Sequence, residues 1–407
     1  VIKRNGESEI VSFDKVIRRI SNLCSMKPVC NRVDPIKVAQ QVCSRIYDKV
    51  KTTDLDELAA QICVSLITTD LQYATLASRI IISNSQKNTS PSFSETIYIL
   101  YNMTDSYGKR LNIISDEIYK IVMDNKDKLN SVIKYERDFN FDYFGFKTLE
   151  RAYLLRDGKK IVERIQHLFM RVALGIHKTD IRSAIQTYDL MSQKYFIHAT
   201  PTLFNSGTNK DAFLSCFLLG IEDSVVGIFK CITDCALISK CAGGIGIHIG
   251  NIRAAGSLIK SSNGQSQGLV PMLKVFNDTA RYINQSGKRL GSFAMYLEPW
   301  HADICEFIEL KKNHGDENAR ARDLFYALYI PDIFMKKVRA NEEWYLMCPD
   351  ECPGLCEAYG DDFDELYNKY VGMERYKRSM PARTLWANIL KAQSETGIPY
   401  LVYKDAV

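Results

Sequence analysis

The chain has 407 residues, 46% hydrophobic and 25% charged, with a formal net charge of +5. Those values describe an ordinary globular protein with two or three domains, and they exclude a disordered chain or a dense Lys/Arg nucleic-acid surface. No apolar run reaches the ~18 residues of a membrane helix, no signal peptide is visible, and the 12 cysteines lack disulfide-framework spacing, so they are expected to be reduced thiols of a cytoplasmic protein. A start at Val1 rather than Met carries the expectation of a fragment.

Residues 1–92 are expected to form one small domain. Asn5-Gly6 signals a hairpin, because a type I′ turn needs positive φ at both central residues. A helix follows, capped by Ser12, with Val16, Ile17, Ile20 and Leu23 on one face. Asp34-Pro35 opens a second helix, Asp capping it and Pro losing no hydrogen bond at the first position, with Ile36, Ala39, Val42, Cys43 and Ile46 as its stripe. Thr53 opens a third and Asp70 a fourth; the Ser/Asn/Lys/Pro cluster at 83–92 is expected as a linker. Lys3 and Arg4 lie on the first hairpin strand. Glu9, Ile10, Val11, Ser12, Phe13, Asp14 and Lys15 run into a helix N-terminus, where free N–H groups suit an anion. Thr52, Asp56 and Lys87 are polar positions that could close over a nucleotide; solvated charge is the plainer alternative.

Residues 93–195 are helical, and the aromatic cluster at 135–155 is expected to be core packing. From Phe196 onward, short apolar runs alternate with helical patterns, which predicts parallel β/α units over 196–407. There Thr200, Pro201 and Thr202 precede an apolar run interrupted by Ser215-Cys216. Alternation sets Leu214, Cys216 and Leu218 on one strand face. The hydroxyls nearby favour a polar pocket with a reactive thiol over a buried cysteine acting as a small hydrophobe.

Gly243-Gly244-Ile245-Gly246 allows close backbone approach to a ligand, with Lys240 and Arg253 able to hold phosphates; a tight turn with solvated charges is the alternative. Gln285, Lys288 and Arg289 sit on a Gly/Ser-bounded loop suited to ligand sensing or to a plain connection. Cys348–Cys356 lacks the paired spacing of a zinc site, Cys231 and Cys235 stack one turn apart as core thiols, and His301 and His314 have no paired-ligand spacing, so no metal is assigned.

Taken together, YERDFNFDYFGFKTLERAYLL, HATPTLFNSGT, LSCFLL, CALISKCAGGIGIHIGNIRAAGS, GLVPMLKVFNDTARYINQ, YLEPWHADICEFIELKKN, RARDLFYALYIPD and MCPDECPGL resemble the class I ribonucleotide reductase large subunit of eukaryotic and viral type, over essentially the whole chain. The resemblance implies an α/β protein: an N-terminal helical ATP-cone domain, a helical segment, then the first part of a ten-stranded α/β barrel. It implies that Cys216 is a reductive cysteine ending in a disulfide with a second cysteine, and that Thr200 and Ser215 contact the nucleoside diphosphate. Asp223, Ser224, Val225, Lys240, Arg253, Lys260 and Ser261 match a deoxynucleotide effector site at a dimer interface, and the 285–292 loop matches the relay from that site to the substrate pocket. Lys3, Arg4, the Glu9–Lys15 segment, Thr52 and Asp56 match the cone that senses ATP against dATP.

The implied partners are a small (beta) subunit that holds the radical cofactor, a second large subunit or a higher oligomer, and an external dithiol reductant of thioredoxin or glutaredoxin type. Thr200 stands where many relatives have Ser, and Asn284 where Asp is common; the loop at 284–291 is one residue shorter than in many relatives. The Asn-x-Cys-x-Glu motif that carries the thiyl-radical cysteine in relatives does not occur between Val1 and Val407. The expectation is therefore ribonucleoside-diphosphate reduction by the full protein and no turnover by this chain alone. The rival reading is a truncated nucleotide-sensing or dimerisation module; a glycyl-radical or cobalamin-dependent relative is a third.

Overall fold

The computed structural model describes residues 1–210, 212–259, 262–283 and 291–406. Tertiary contacts divide the chain into two compact units, Val1–Phe213 and Leu214–Val407. No helix among the described residues is long and apolar enough to cross a membrane.

The first unit begins with the expected hairpin but not with the expected type I′ turn: Gly6 donates to the Lys3 carbonyl, Arg4 and Asn5 are the central residues, and neither has positive φ. Gly6 takes φ +87°, Ile2 bridges Ser8 antiparallel, and Ile2 also bridges Lys51 in parallel. Four helices follow: α1 (Phe13–Cys24), α2 (Pro35–Cys43), α3 (Thr52–Ser65) and α4 (Gln72–Asn88). Asp34 caps α2, its carboxylate accepting from the amides of Ile36 and Lys37. The buried positions of α2 are Val38, Ala39 and Val42; Ile36 is half exposed and Ile46 lies beyond the helix, so its stripe is offset from the expected one. Lys51, not Thr53, is the residue before α3. Helix α4 runs through Asn88, so 83–88 is helix and the irregular connection begins after it. That matters for the site, because Ser83, Asn84, Lys87 and Asn88 are presented from a rigid element.

The rest of this unit packs around helix Ile165–His177, which is buried on every face from Ile165 to Leu174. Glu163 and Arg171 form a fully buried ion pair at 2.6 Å, and Arg171 also donates to the carbonyls of Leu203 and Ser206. Gly175 sits against Gly207 and Ser206 so closely that a Cβ there would lie 2.2 Å from the Gly207 nitrogen. The aromatic cluster behaves as core at Phe146 and Tyr153, while Phe144 is 64% exposed.

The second unit carries one five-stranded parallel sheet: β1 (Cys216–Leu219), β2 (Gly244–His248), β3 (Phe293–Leu297), β4 (Phe325–Ile330) and β5 (Tyr400–Tyr403), in spatial order β5-β4-β3-β2-β1. Parallel neighbours need crossover connections, and helices supply them. One face buries Ile245, Ile247, Phe293, Met295 and Leu328 against Cys235, Leu273, Phe276 and Phe307 from those helices. The opposite face carries Cys216, Leu218, Gly246, Ala294 and Ala327. Pleat alternation thus sets a packed row against a row that is exposed at Cys216 and Leu218 on β1 and buried at Ala327 on β4.

Candidate functional site

Three groups of expected site residues can be followed in the structure. The first surrounds a cavity of about 240 Å³ in the hairpin and four-helix bundle. Lys3, Arg4, Glu9, Ile10, Val11, Ser12, Lys15, Thr52, Asp56 and Lys87 all line it; Phe13 and Asp14 do not. Apolar positions of the bundle, Val16, Ile20, Val42, Ala59 and Ile80, form its floor.

Asp56 is the centre of this site. It is 8% exposed and bridges two guanidinium groups: Arg4 donates to it at 3.0 Å, and Arg19 donates to both of its oxygens at 3.2 Å. Arg4 is held further by Asn84 at 2.6 Å and Asn88 at 2.7 Å, and Arg19 by Ser83 at 3.0 Å. At the mouth, Glu9 pairs with Lys3 at 2.6 Å and with Lys15. Hydrogen bonding from Lys15, then Lys3, pulls the Glu9 carboxyl down to about 2, so it is ionised at any physiological pH. The cavity therefore joins an apolar floor to a rim of paired cations, as a nucleotide base and its phosphates require.

Sequence reading missed Arg19, Asn84 and Asn88. A signal was present: Lys15 and Arg19 are four apart on α1, and Asn84, Lys87 and Asn88 follow the i, i+3, i+4 spacing of one helix face on α4.

The second group is on the sheet. Cys216 opens β1 and is exposed, with the Ser215 hydroxyl 3.6 Å from its sulfur. Its register partner is Gly244, and register partners in a sheet share a face. No side chain on β2 therefore stands beside the thiol. The glycines at 243–246 belong to β2 and its approach rather than to a turn: a Cβ on Gly246 would come within 2.9 Å of Leu218 and 3.2 Å of Tyr296, and one on Gly243 within 2.7 Å of the Phe217 ring. Gly243 and Gly246 are small to accommodate neighbouring side chains, whereas a Cβ on Gly244, opposite Cys216, would meet only the Ser215 carbonyl oxygen at 3.4 Å. Thr200 lies in the first unit, at the start of helix Thr200–Asn205, with its hydroxyl 2.9 Å from that of Tyr153.

The third group flanks helix Val225–Lys240. Ser224 caps it, its hydroxyl accepting from the Gly227 amide at 2.9 Å. Asp223 accepts from Arg253 at 2.6 Å, which raises the guanidinium pKa further, and Asp350 lies 3.9 Å away from the same arginine. Asp223, Ser224, Val225 and Arg253 thus meet at the N-terminal end. Lys240 closes the last turn of a 16-residue helix, ~24 Å long at 1.5 Å per residue. Within one chain these two sets are far apart. Lys260, Ser261, Asn284, Gln285, Lys288 and Arg289 lie outside the described residues.

The remaining motifs are mostly scaffold. His301 is buried with both ring nitrogens used: Nε2 meets the Ile252 carbonyl at 2.8 Å, and Nδ1 accepts from the Asp303 amide. Asp303 in turn accepts from the amides of Ala255 and Leu269. Cys231 and Cys235 face the core. Cys348 lies 3.0 Å from the Ser257 hydroxyl, and Cys352 donates to the Arg375 carbonyl at 3.0 Å. His248, Glu298 and Cys356 do offer donor atoms within 4.8 Å of one another, which the sequence spacing did not indicate. There, however, Glu298 is already neutralised by buried Lys404 at 2.9 Å and held by Trp300 at 2.8 Å.

Comparison with known proteins matches three family models along the chain. The ATP cone domain model matches residues 1–88, the model of the ribonucleotide reductase all-alpha domain 139–211, and that of the ribonucleotide reductase barrel domain 214–407. Similar curated proteins include the ribonucleoside-diphosphate reductase large subunits of Plasmodium falciparum (isolate Dd2), 54% identical over 408 residues, of Arabidopsis thaliana, 53% identical over 409, and of vaccinia virus (strain Copenhagen), 55% identical over 409. Each alignment takes in 100% of this chain and 50%, 50% and 53% of the respective relative. The chain spans about half the length of the curated relatives it matches.

Proposed function

The chain belongs to the ribonucleotide reductase large-subunit family, and on that premise we propose that the whole protein is an oxidoreductase that converts ribonucleoside diphosphates to deoxyribonucleotides. The observation that carries this reading is the exposed Cys216 thiol on the open face of the sheet, opposite a glycine and beside a hydroxyl. Reduction at the 2′ carbon removes a hydroxyl as water and consumes two electrons. A dithiol supplies them: two S–H bonds are lost and one S–S bond forms, which an outside dithiol of thioredoxin or glutaredoxin class then reduces. Cys216 is the proposed donor, with Ser215 and Thr200 contacting the nucleoside diphosphate. A radical generated on a separate small subunit would make the 2′ hydroxyl a leaving group, chemistry that ordinary side chains do not begin unaided.

The cone is proposed to sense ATP against dATP through Asp56, Arg4 and the Glu9–Lys15 rim. A deoxynucleotide effector is assigned to Asp223, Ser224, Val225, Arg253 and Lys240, with Lys260, Ser261, Gln285, Lys288 and Arg289 completing that site and its relay. Because the first four and Lys240 occupy opposite ends of one helix, a single effector touching both sets needs a second copy of the chain running antiparallel. Val225 and Val226, 74% and 80% exposed, together with exposed Phe229 and Leu237, give that helix an apolar outer face suited to such a dimer. The proposed location is the cytoplasm.

The direct test is a Cys216→Ser variant of the full-length protein, assayed with small subunit and dithiol. Deoxynucleotide formation should fall to background while ATP binding is unchanged. Full activity in that variant would refute the assignment.

A further inference from the structure

Beside the cone cavity lies a second, larger cleft of about 760 Å³. The two share Lys3, Arg4, Thr52 and Lys87. The far wall of the cleft comes from outside the four-helix bundle: Glu150, and Lys159 and Lys160 on the hairpin formed by Arg156–Asp157 and Lys160–Ile161.

The lining is strongly one-signed. It holds six cations (Lys3, Arg4, Lys51, Lys87, Lys159 and Lys160) and one carboxylate, Glu150, which already pairs with Lys147 at 2.8 Å. Lys3 and Arg4 have Glu9 and Asp56. Lys51, Lys87, Lys159 and Lys160 take part in no ion pair among the described residues. Desolvation, and after it the charge of Arg19, holds the Lys87 ammonium below the usual lysine range, against the pull of Asp56. An anion placed here would offset that mutual repulsion.

Size points the same way. The cone cavity, at about 240 Å³, is smaller than the ~300–1,000 Å³ of ordinary small-molecule sites. Its apolar floor accommodates a base and sugar, so a triphosphate must extend past the shared rim, and the cleft is what adjoins that rim.

We propose that the cleft receives the polyphosphate tail of the nucleotide seated in the cone, and that Lys159 and Lys160 report phosphate number to the segment outside the cone. The proposal rests on the nucleotide-sensing reading of the cone. It adds a regulatory contact: the 156–161 hairpin engages a triphosphate and leaves a monophosphate untouched.

The test is calorimetric titration of the chain with AMP, ATP and inorganic tripolyphosphate, in the wild type and in a Lys159→Ala/Lys160→Ala variant. Both lysines are exposed, so folding should be intact, and matching thermal melts would check it. The variant should bind ATP and tripolyphosphate about tenfold more weakly, equivalent to ~1.4 kcal/mol, and AMP within twofold of wild type. Hydrogen exchange at 156–161 should slow with ATP and not with AMP. Unchanged ATP affinity in the variant, or equal losses for AMP and ATP, would overturn the proposal while leaving the cone site standing. So would tripolyphosphate binding that ATP does not displace, since that would mark an independent anion site. Failure of the wild type to bind any nucleotide would overturn this proposal and the cone reading together.

Discussion

Asp56 shows what single residues contribute here. A nearly buried carboxylate held by two arginines keeps both guanidinium groups aimed at one cavity, and charge-assisted hydrogen bonds of this kind contribute about 1.5–3 kcal/mol each. Arg19→Ala should therefore weaken ATP binding about tenfold, measured by calorimetry, and also lower the thermal melt, because Asp56 loses one of its two guanidinium partners; equal affinity would mean that Arg19 serves only the fold. A second residue-scale consequence concerns acid stability. His167 is fully buried, its Nδ1 has no partner, and desolvation, with Arg164, lowers its pKa to about 3. Stability from keeping it neutral is present above the unfolded value near 6.5 and is lost as pH falls toward 3. Asp138, raised to about 6 by burial despite its bonds to Gln86 and Gln166, acts in the other direction: its contribution is present below about 4 and is lost as pH rises through 6. The two slopes oppose each other between pH 4 and 6. A His167→Gln variant should expose the Asp138 slope, losing up to about 1.4 kcal/mol per pH unit relative to wild type as pH rises over that window. Urea midpoints measured from pH 4 to 7 would show it, and parallel profiles for the two proteins would contradict it.

At the scale of elements, glycine positions separate what pattern can and cannot reveal. Alternation set Cys216 and Leu218 on one face of β1, and the structure has that alternation, because period two is a local property of an extended backbone. The Gly-rich run at 243–246 could also be read as a tight turn, yet Gly244–His248 is a strand. Nothing local distinguishes a glycine that makes room for a ligand from one that makes room for Leu218 and Tyr296 on neighbouring strands. Gly175 is the strictest case. Its neighbours, Gly207 and Ser206, belong to a distant stretch of chain, and the nearest obstructing atoms include backbone that a rotamer change does not move. Gly175→Ala should cost about 3 kcal/mol or somewhat more, the upper range for overpacking, read as a lower urea midpoint. A variant as stable as wild type would mean that the two segments separate freely. Helix α4 carries the converse lesson: its polar C-terminal turns resembled a linker by composition, but Ser83 and Asn84 hold Arg19 and Arg4, and Lys87 lines the cone cavity.

At the scale of the whole molecule, the proposed effector residues at the two ends of helix Val225–Lys240 make the assembly a prediction. Val226→Asp replaces an exposed apolar side chain with a charge on the face proposed to meet a second copy. If the proposed effector-bound dimer forms, its assembly, followed by sedimentation, should weaken at least tenfold with the thermal melt unchanged; an unaffected dimer would place the interface elsewhere. The sequence by itself determined the family, the order of cone, helical segment and parallel β/α region, the cap at Asp34 and the hairpin at Gly6, because each depends on residues adjacent in the chain or on runs long enough to match a family. Only the tertiary structure decided that Arg4 and Arg19 share Asp56, that Lys159 and Lys160 stand across a cleft from Lys3 and Lys87, and that Lys240 is separated from Arg253 by the length of a helix. Those relations join residues tens of positions apart, and chain separation fixes no distance until packing has closed the loops between them.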